Sequence, residues 1–273
     1  MKDTALKIAR SADDPGTALN LLREYLQAMT LRSLHEAGAL GELSFIGGTA
    51  LRFLHELPRF SEDLNFSWEG SSIESGSLDG SSLALKLRRD LERQGFEVDV
   101  RWKGERTVQL GWVRVAGLLH ELGLAGSPKQ KIGIKIEVDT DAPAGAGIES
   151  SVLRRHAFIA VRHHDLSSLF AGKVRAVLTR PFTKGRDWYD LMWYLTRRPA
   201  VAPNLVLLRN ALKVEPGQAL TGAAFDWPSA LATAANESDF DLVQRDVAPF
   251  LEVPGDAQFL TRDHMLSLIE RHS

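Results

Sequence analysis

Two short motifs hold residue types that do phosphate chemistry. The segment "FIGGTALRF" (Phe45–Phe53) carries an apolar run into Gly47, Gly48 and Thr49. Glycines between a strand and a helix let the backbone approach an anion closely, and a helix start favours negative charge. The Thr49 hydroxyl adds a donor. A tight turn also needs glycine for steric reasons alone, so the motif has a structural reading beside the functional one. Fifteen residues after Gly48 comes "DLNFSW", which alternates polar and apolar side chains. On a strand, Asp63 and Asn65 share one face, while Leu64 and Phe66 share the other. One carboxylate and one amide oxygen are then presented together. Mg2+ prefers such hard oxygen donors and keeps substrate phosphates in its shell. A solvated strand face has the same pattern.

Two further stretches extend this set. In "KIGIKIEVD" (Lys131–Asp139), Ile132, Ile134, Ile136 and Val138 point one way, and Lys135, Glu137 and Asp139 the other. Glu137 beside Asp63 would complete a metal site for phosphoryl or nucleotidyl transfer. The alternative is a wet sheet face with a Lys/Glu ion pair. In "GKVRAVLTRPFTKGRDWYDL", Lys173, Val177 and Arg180 recur at helical spacing, and Arg186, Asp187 and Asp190 open the next helix. Asp187 and Asp190 are three apart, on adjacent turns of one face. Lys173 and Arg180 are cations able to clamp a triphosphate; the alternative is a solvated helix face with ordinary ion pairs. His163 and His164 are adjacent and point apart, which argues against a shared metal.

The elements that must position these residues follow from the pattern. Asp14-Pro15 reads as a helix start, with a helix running to Ala37 and stopped by Gly38. Leu43–Ile46 reads as a buried strand and Thr49–Glu56 as a helix ended by Pro58. The Gly/Ser-rich stretch Glu69–Ser82 reads as a loop, followed by a helix over Leu83–Gln94. "FEVDVRW", "TVQLGWVRV" and "KIGIKIEVD" read as antiparallel neighbours in one sheet, and "TDAPAGAGIESS" as a loop. From about Asp165 onward the apolar positions follow helical periods. The expectation is an α/β domain over residues 1–162 and an all-α region over 163–273.

Bulk composition narrows the function classes. The chain has 273 residues, 44% hydrophobic and 25% charged, enough for a substantial core. A net charge of -2 argues against a uniformly basic nucleic-acid coat. The absence of cysteine excludes a disulfide framework, a thiolate metal site and a Cys nucleophile. The N-terminus lacks the apolar run of a signal peptide, and no run approaches the ~20 apolar residues of a membrane span, so the expected location is the cytoplasm.

In order, "GGTALR", "RFSEDLNFS", "IKIEV", "KVRAVLTR" and "GRDWYDL" resemble the AbiEii/AbiGii-type nucleotidyltransferase toxins of toxin–antitoxin and abortive-infection systems. The resemblance spans roughly Phe45 to Leu195. It implies a minimal nucleotidyltransferase core with a mixed sheet, followed by a helical region. It implies Mg2+, an NTP substrate, a tRNA 3′ end or other RNA acceptor, and a cognate antitoxin. Gly47, Gly48 and Thr49 would hold phosphates, with Arg52 and Arg186 as supporting cations. Asp63 and Glu137 would be metal ligands with position 65 as partner. Lys173 would contact the triphosphate and Asp187 would be the late catalytic acid, with Asp190 as its competitor for that role. Ser61, on the face of Asp63, is a candidate for self-modification. Arg154, Arg155, Arg162, Arg197 and Arg198 are candidates for an RNA path. The departure is Asn65, where the family pattern has a second aspartate; a neutral ligand weakens the field that holds Mg2+. Transfer to a small molecule or protein hydroxyl, or a binding module with weakened catalysis, remain open alternatives.

Overall fold

The computed structural model describes residues 1–68, 78–104, 107–213 and 226–272. The chain divides into two compact units, Met1–Ala142 with Glu149–His163, and Pro143–Ile148 with His164–Ser273. Most of the Gly/Ser loop expected at Glu69–Ser82 lies outside the described residues.

The first unit contains helices α1 (Lys2–Ala9), α2 (Pro15–Glu36), α3 (Gly47–His55), α4 (Gly80–Arg93) and the single turn α5 (Leu118–Glu121). Its sheet is built from β1 (Leu43–Ile46), β2 (Leu64–Trp68), β3 (Val98–Lys103), β4 (Val108–Ala116), β5 (Lys131–Asp139), β6 (Ile148–Leu153) and β7 (Ile159–His164). The strand order is β3-β4-β5-β2-β1-β7-β6. Pairs β3/β4, β4/β5 and β1/β2 are antiparallel, and β2/β5 and β1/β7 are parallel. A mixed sheet with flanking helices is the α/β class that the alternating and helical periods predict.

Local chemistry accounts for the elements that matter. Asp14 caps α2, accepting from Gly16 N at 2.8 Å and Thr17 N at 3.0 Å, with Pro15 in the first turn. Leu22, Leu26 and Met29 of α2 and Leu87 and Leu91 of α4 are buried, and both helices pack on the sheet. Burying each such side chain stabilises the fold by roughly 1.5–3 kcal/mol. On β5, Ile132, Ile134, Ile136 and Val138 are buried, while Lys135, Glu137 and Asp139 are half-exposed on the opposite face. The α3 helix starts two residues earlier than its sequence pattern suggests, because Gly47 takes a left-handed φ of 81° that turns β1 directly into the helix.

Two strands escape the sequence pattern. Residues Ile148–Ser151, expected as the end of a loop, open β6, and β7 follows it. β6 is an edge strand exposed over most of its length, so it lacks the apolar alternation that marks a half-buried strand.

The second unit is helical, with α6 (Leu166–Thr179), α7 (Gly185–Thr196), α8 (Leu205–Leu212), α9 (Trp227–Glu237), α10 (Phe240–Val247) and α11 (Arg262–Glu270). Asp165 caps α6 by accepting from Ser168 N at 2.7 Å. Phe170 and Tyr194 stack with centroids 4.2 Å apart, locking α6 to α7. The excursion Pro143–Ile148 is tied to these helices by backbone-directed hydrogen bonds. Gly147 N donates to Ser168 Oγ at 2.9 Å, Asn204 Nδ2 to Gly145 O at 2.8 Å and Asn210 Nδ2 to Ala144 O at 2.7 Å.

Candidate active site

In the first unit, strand register brings the expected residues together. Ile46 lies opposite Asn65, so the β1–α3 turn abuts β2. Asn65 in turn lies opposite Glu137 on β5. Asp63, two residues before Asn65, reaches the same face. Lys135 Nζ lies 3.4 Å from Asp63 Oδ2 and 3.0 Å from Glu137 Oε1. The three side chains are between 27% and 33% exposed, so they are reachable yet partly desolvated. Burial pushes Asp63 above the usual carboxylate range; Lys135 opposes this and Glu137 adds to it. One ammonium faces two carboxylates, so the pair is incompletely neutralised by formal charge.

Side chains crowd both glycines. A Cβ on Gly47 would stand 3.1 Å from Asn65 Nδ2, in addition to the strain of its positive φ. A Cβ on Gly48 would stand 2.6 Å from Arg59 Nη2 and 3.1 Å from Ser61 Oγ. Arg59 is buried beside the start of α3, where its Nη1 donates to Phe60 O at 2.8 Å. Ser61 is half-buried, and its carbonyl accepts from Gln27 Nε2 at 3.0 Å.

Two expected phosphate contacts are occupied otherwise. Thr49 is fully buried and its hydroxyl donates to the main-chain oxygen of Asp63, so it positions the carboxylate strand and is not presented to a phosphate. Arg52 is also buried. Its Nε lies 2.6 Å from Glu24 Oε2 and its Nη1 donates to Leu57 O at 3.0 Å. Arg155 Nη1 and His156 Nε2 each lie 3.1 Å from Glu24 Oε1. Burial raises Glu24, but these neighbours outweigh it and hold its pKa at about 2. Arg52 is therefore part of a buried ionic node that ties α3 to α2. Arg155 is drawn from the candidate RNA path into the same node. Arg162 donates to Gly41 O at 2.7 Å, and Arg197 lies over the Trp193 ring at 4.5 Å.

In the second unit, α6 and α7 bring Lys173, Asp187 and Asp190 together. Lys173 Nζ lies 3.1 Å from Asp187 Oδ1 and 2.7 Å from Asp190 Oδ2. Arg180 Nε lies 2.8 Å from Asp187 Oδ2. Both aspartates are buried, Asp190 completely. Burial raises Asp187, but Lys173 and Arg180 overcome it and hold its pKa at about 2. Lys184 is pushed down by burial and by Arg186. Arg186 stacks on Phe250, its guanidinium carbon 4.0 Å from the ring centroid. Arg180, Lys184 and Asp187 line a cleft of ≈ 440 Å³ in this unit.

Comparison with known proteins places this geometry. A family model described as "Nucleotidyl transferase AbiEii toxin, Type IV TA system" matches residues 30–259. The chain belongs to the AbiEii nucleotidyltransferase toxin family. No curated protein matches it. Two solved structures from Helicobacter pylori share the fold. One is of a protein provisionally described as a nucleotidyltransferase, with a TM-score of 0.54 and 18% identity over 93% of this chain and 97% of that one. The other is JHP933, with a TM-score of 0.53 and 19% identity over 93% of this chain and 94% of that one.

For an AbiEii toxin, the donor set formed by Asp63, just before β2, Asn65 on β2 and Glu137 on β5 would suit Mg2+. Asp63 and Glu137 supply hard anionic oxygens and Asn65 a neutral one, and the Lys135 ammonium marks the gap between the carboxylates as favourable to a cation. Among the described residues no group of three or more His, Cys, Asp or Glu could hold a metal ion. A site with two carboxylates fits an ion that completes its shell with water and substrate phosphates. Sequence reasoning missed Arg59, whose only signal is a charged residue between Pro58 and Phe60.

Proposed function

We propose that this AbiEii toxin transfers a nucleotide from an NTP to the 3′-terminal hydroxyl of a tRNA. The observation that carries the reading is the incompletely neutralised pair Asp63/Glu137, set by register beside the Gly47–Gly48 turn. Asp63 and Glu137, with the Asn65 amide oxygen, would hold Mg2+, which supplies charge stabilisation at the reacting phosphate. The N–H groups at the start of α3 receive phosphate oxygens, with the Arg59 guanidinium behind them adding positive field. Thr49 fixes the backbone of Asp63 and thereby its carboxylate. The acceptor oxygen forms a bond to the α-phosphorus, the bond to the β-phosphate oxygen breaks, and pyrophosphate leaves. In the helical unit, Asp187 and Asp190 hold the Lys173 ammonium in place. A cognate antitoxin is the expected protein partner.

The test is incubation with total tRNA, Mg2+ and each labelled NTP in turn, beside an Asn65→Asp variant. Label on tRNA from the natural chain establishes the transferase and its nucleotide. Label only from the variant shows chemistry attenuated at position 65. Label from neither overturns the tRNA reading and moves the acceptor to a protein or small-molecule hydroxyl.

Asn65 favours a second reading, a transferase-like module that engages a partner without turnover. Lys173→Ala separates the two: toxicity on expression disappears for an enzyme and persists for a binder.

A further inference from the structure

Lys135 has no task in the nucleotide-transfer reading, yet it sits at the centre of the carboxylate cluster. Its strand alternates so that Ile134 and Ile136 are buried and Lys135 faces the opposite side with Glu137. A lysine side chain in that position has four rotatable bonds and access to water, and its default is to extend into solvent. Here its ammonium is instead folded between Asp63 Oδ2 and Glu137 Oε1, at 3.4 and 3.0 Å. The residue opposite it on β4 is Trp112, which offers no competing anion. The groups facing the ammonium are Asp63 and Glu137, with Glu62 adding negative field at Asp63. With Asn65 neutral, one lysine and two carboxylates leave a single formal negative charge in the cluster.

We propose that Lys135 is a tethered counter-cation that competes with the divalent ion for Asp63 and Glu137, so that metal enters only by displacing its ammonium. The inference rests on reading Asp63 and Glu137 as the metal carboxylates. It explains how the pair tolerates partial desolvation in the nucleotide-free protein. It also makes metal entry depend on triphosphate: the phosphates bring negative charge that both recruits the divalent ion and offers the displaced ammonium a new partner. An Asn at position 65 sharpens the competition, because a third anion would let ammonium and metal be held together.

The experiment is a Mn2+ titration of the full chain without nucleotide, followed by the loss of the free-ion signal in electron paramagnetic resonance. Wild type is compared with Lys135→Met, which keeps length and removes charge, and with Lys135→Arg, which keeps charge. Thermal melts of all three confirm folding. The expected result is Mn2+ affinity raised by about tenfold or more in Lys135→Met, as removal of a nearby like charge requires, with Lys135→Arg remaining as weak as wild type. Equal or weaker binding by Lys135→Met overturns the competition while leaving the metal site in place. Lys135→Arg binding as tightly as Lys135→Met overturns it as well, since charge would then not be the cause. Absence of Mn2+ binding in all three, Lys135→Met included, overturns the metal reading itself and the inference with it.

Discussion

Each unit of this toxin contains two carboxylates and a lysine, and the two sets are in opposite electrostatic states. Asp63, Glu137 and Lys135 are about one-third exposed, with Asp63 raised by burial that its lysine does not offset. Asp187, Asp190 and Lys173 are nearly enclosed, Arg180 adds a second cation, and Asp187 falls to about 2. The first set is short of positive charge and open to a cation from solvent. The second is satisfied internally and holds a lysine in a fixed place. Asp190 has no exposed surface and lies 2.7 Å from the Lys173 ammonium, which it helps to hold in place.

Substitutions test that contrast. The largest effect is expected at Asp63→Asn, which should lower nucleotide transfer by about three orders of magnitude, as loss of a metal carboxylate would, with the fold intact. Labelled transfer and a thermal melt on the same sample measure both; transfer within tenfold of wild type would remove Asp63 from the chemistry. Next is Asp190→Ala, which leaves the nearly enclosed Lys173 ammonium with only Asp187, a carboxylate it shares with Arg180. It should cost about 3 kcal/mol in denaturant unfolding, whereas Glu137→Ala in the open cluster should cost less than about 1 kcal/mol. Similar costs for both would dissolve the distinction between the clusters.

Acid titration gives a smaller effect with a definite sign. Asp187 has its pKa depressed from 3.8 to about 2, so its stabilisation is fully present above pH 3.8 and is lost as pH falls towards 2. That is worth roughly 2 kcal/mol, and Asp187→Asn should flatten this part of the stability curve. Asp63 is shifted the other way, so its ionisation destabilises the fold as pH rises through its unfolded value. The smallest expected change is therefore a slight rise in melting temperature at pH 7 for Asp63→Asn, opposite in sign to its effect on transfer. A fall in melting temperature would show that Asp63 is better compensated than its neighbours indicate.

What was legible in the chain follows the range of the interactions. The alternation of Ile132, Ile134, Ile136 and Val138 against Lys135 and Glu137 is local, and it sets the two faces of β5 correctly. The Asp14-Pro15 helix start and the Gly47–Gly48 turn are also local signals. The pairing of β2 with β5 joins residues some seventy positions apart, and no periodicity encodes it. Arg52 shows the same limit: its guanidinium has the composition of a phosphate ligand, but its partner Glu24 lies on α2, a full helix earlier. Thr49 is diverted to a backbone oxygen that only the return of the chain at Asp63 supplies. Arg59 became visible as a neighbour of the phosphate turn only once Gly48 was placed against it.

The excursion at Pro143–Ile148 has a consequence for the gene as well as for the protein. Its backbone is fastened to Ser168, Asn204 and Asn210 before the chain goes back to add β6 and β7 to the sheet. The helical unit is thus built from two separated stretches of chain on either side of Glu149–His163, and no single stop codon can release it whole. A nonsense mutation near codon 164 would leave β6 and β7 translated but strand the preceding segment without its anchors, and a fragment begun at codon 164 would lack its first strap.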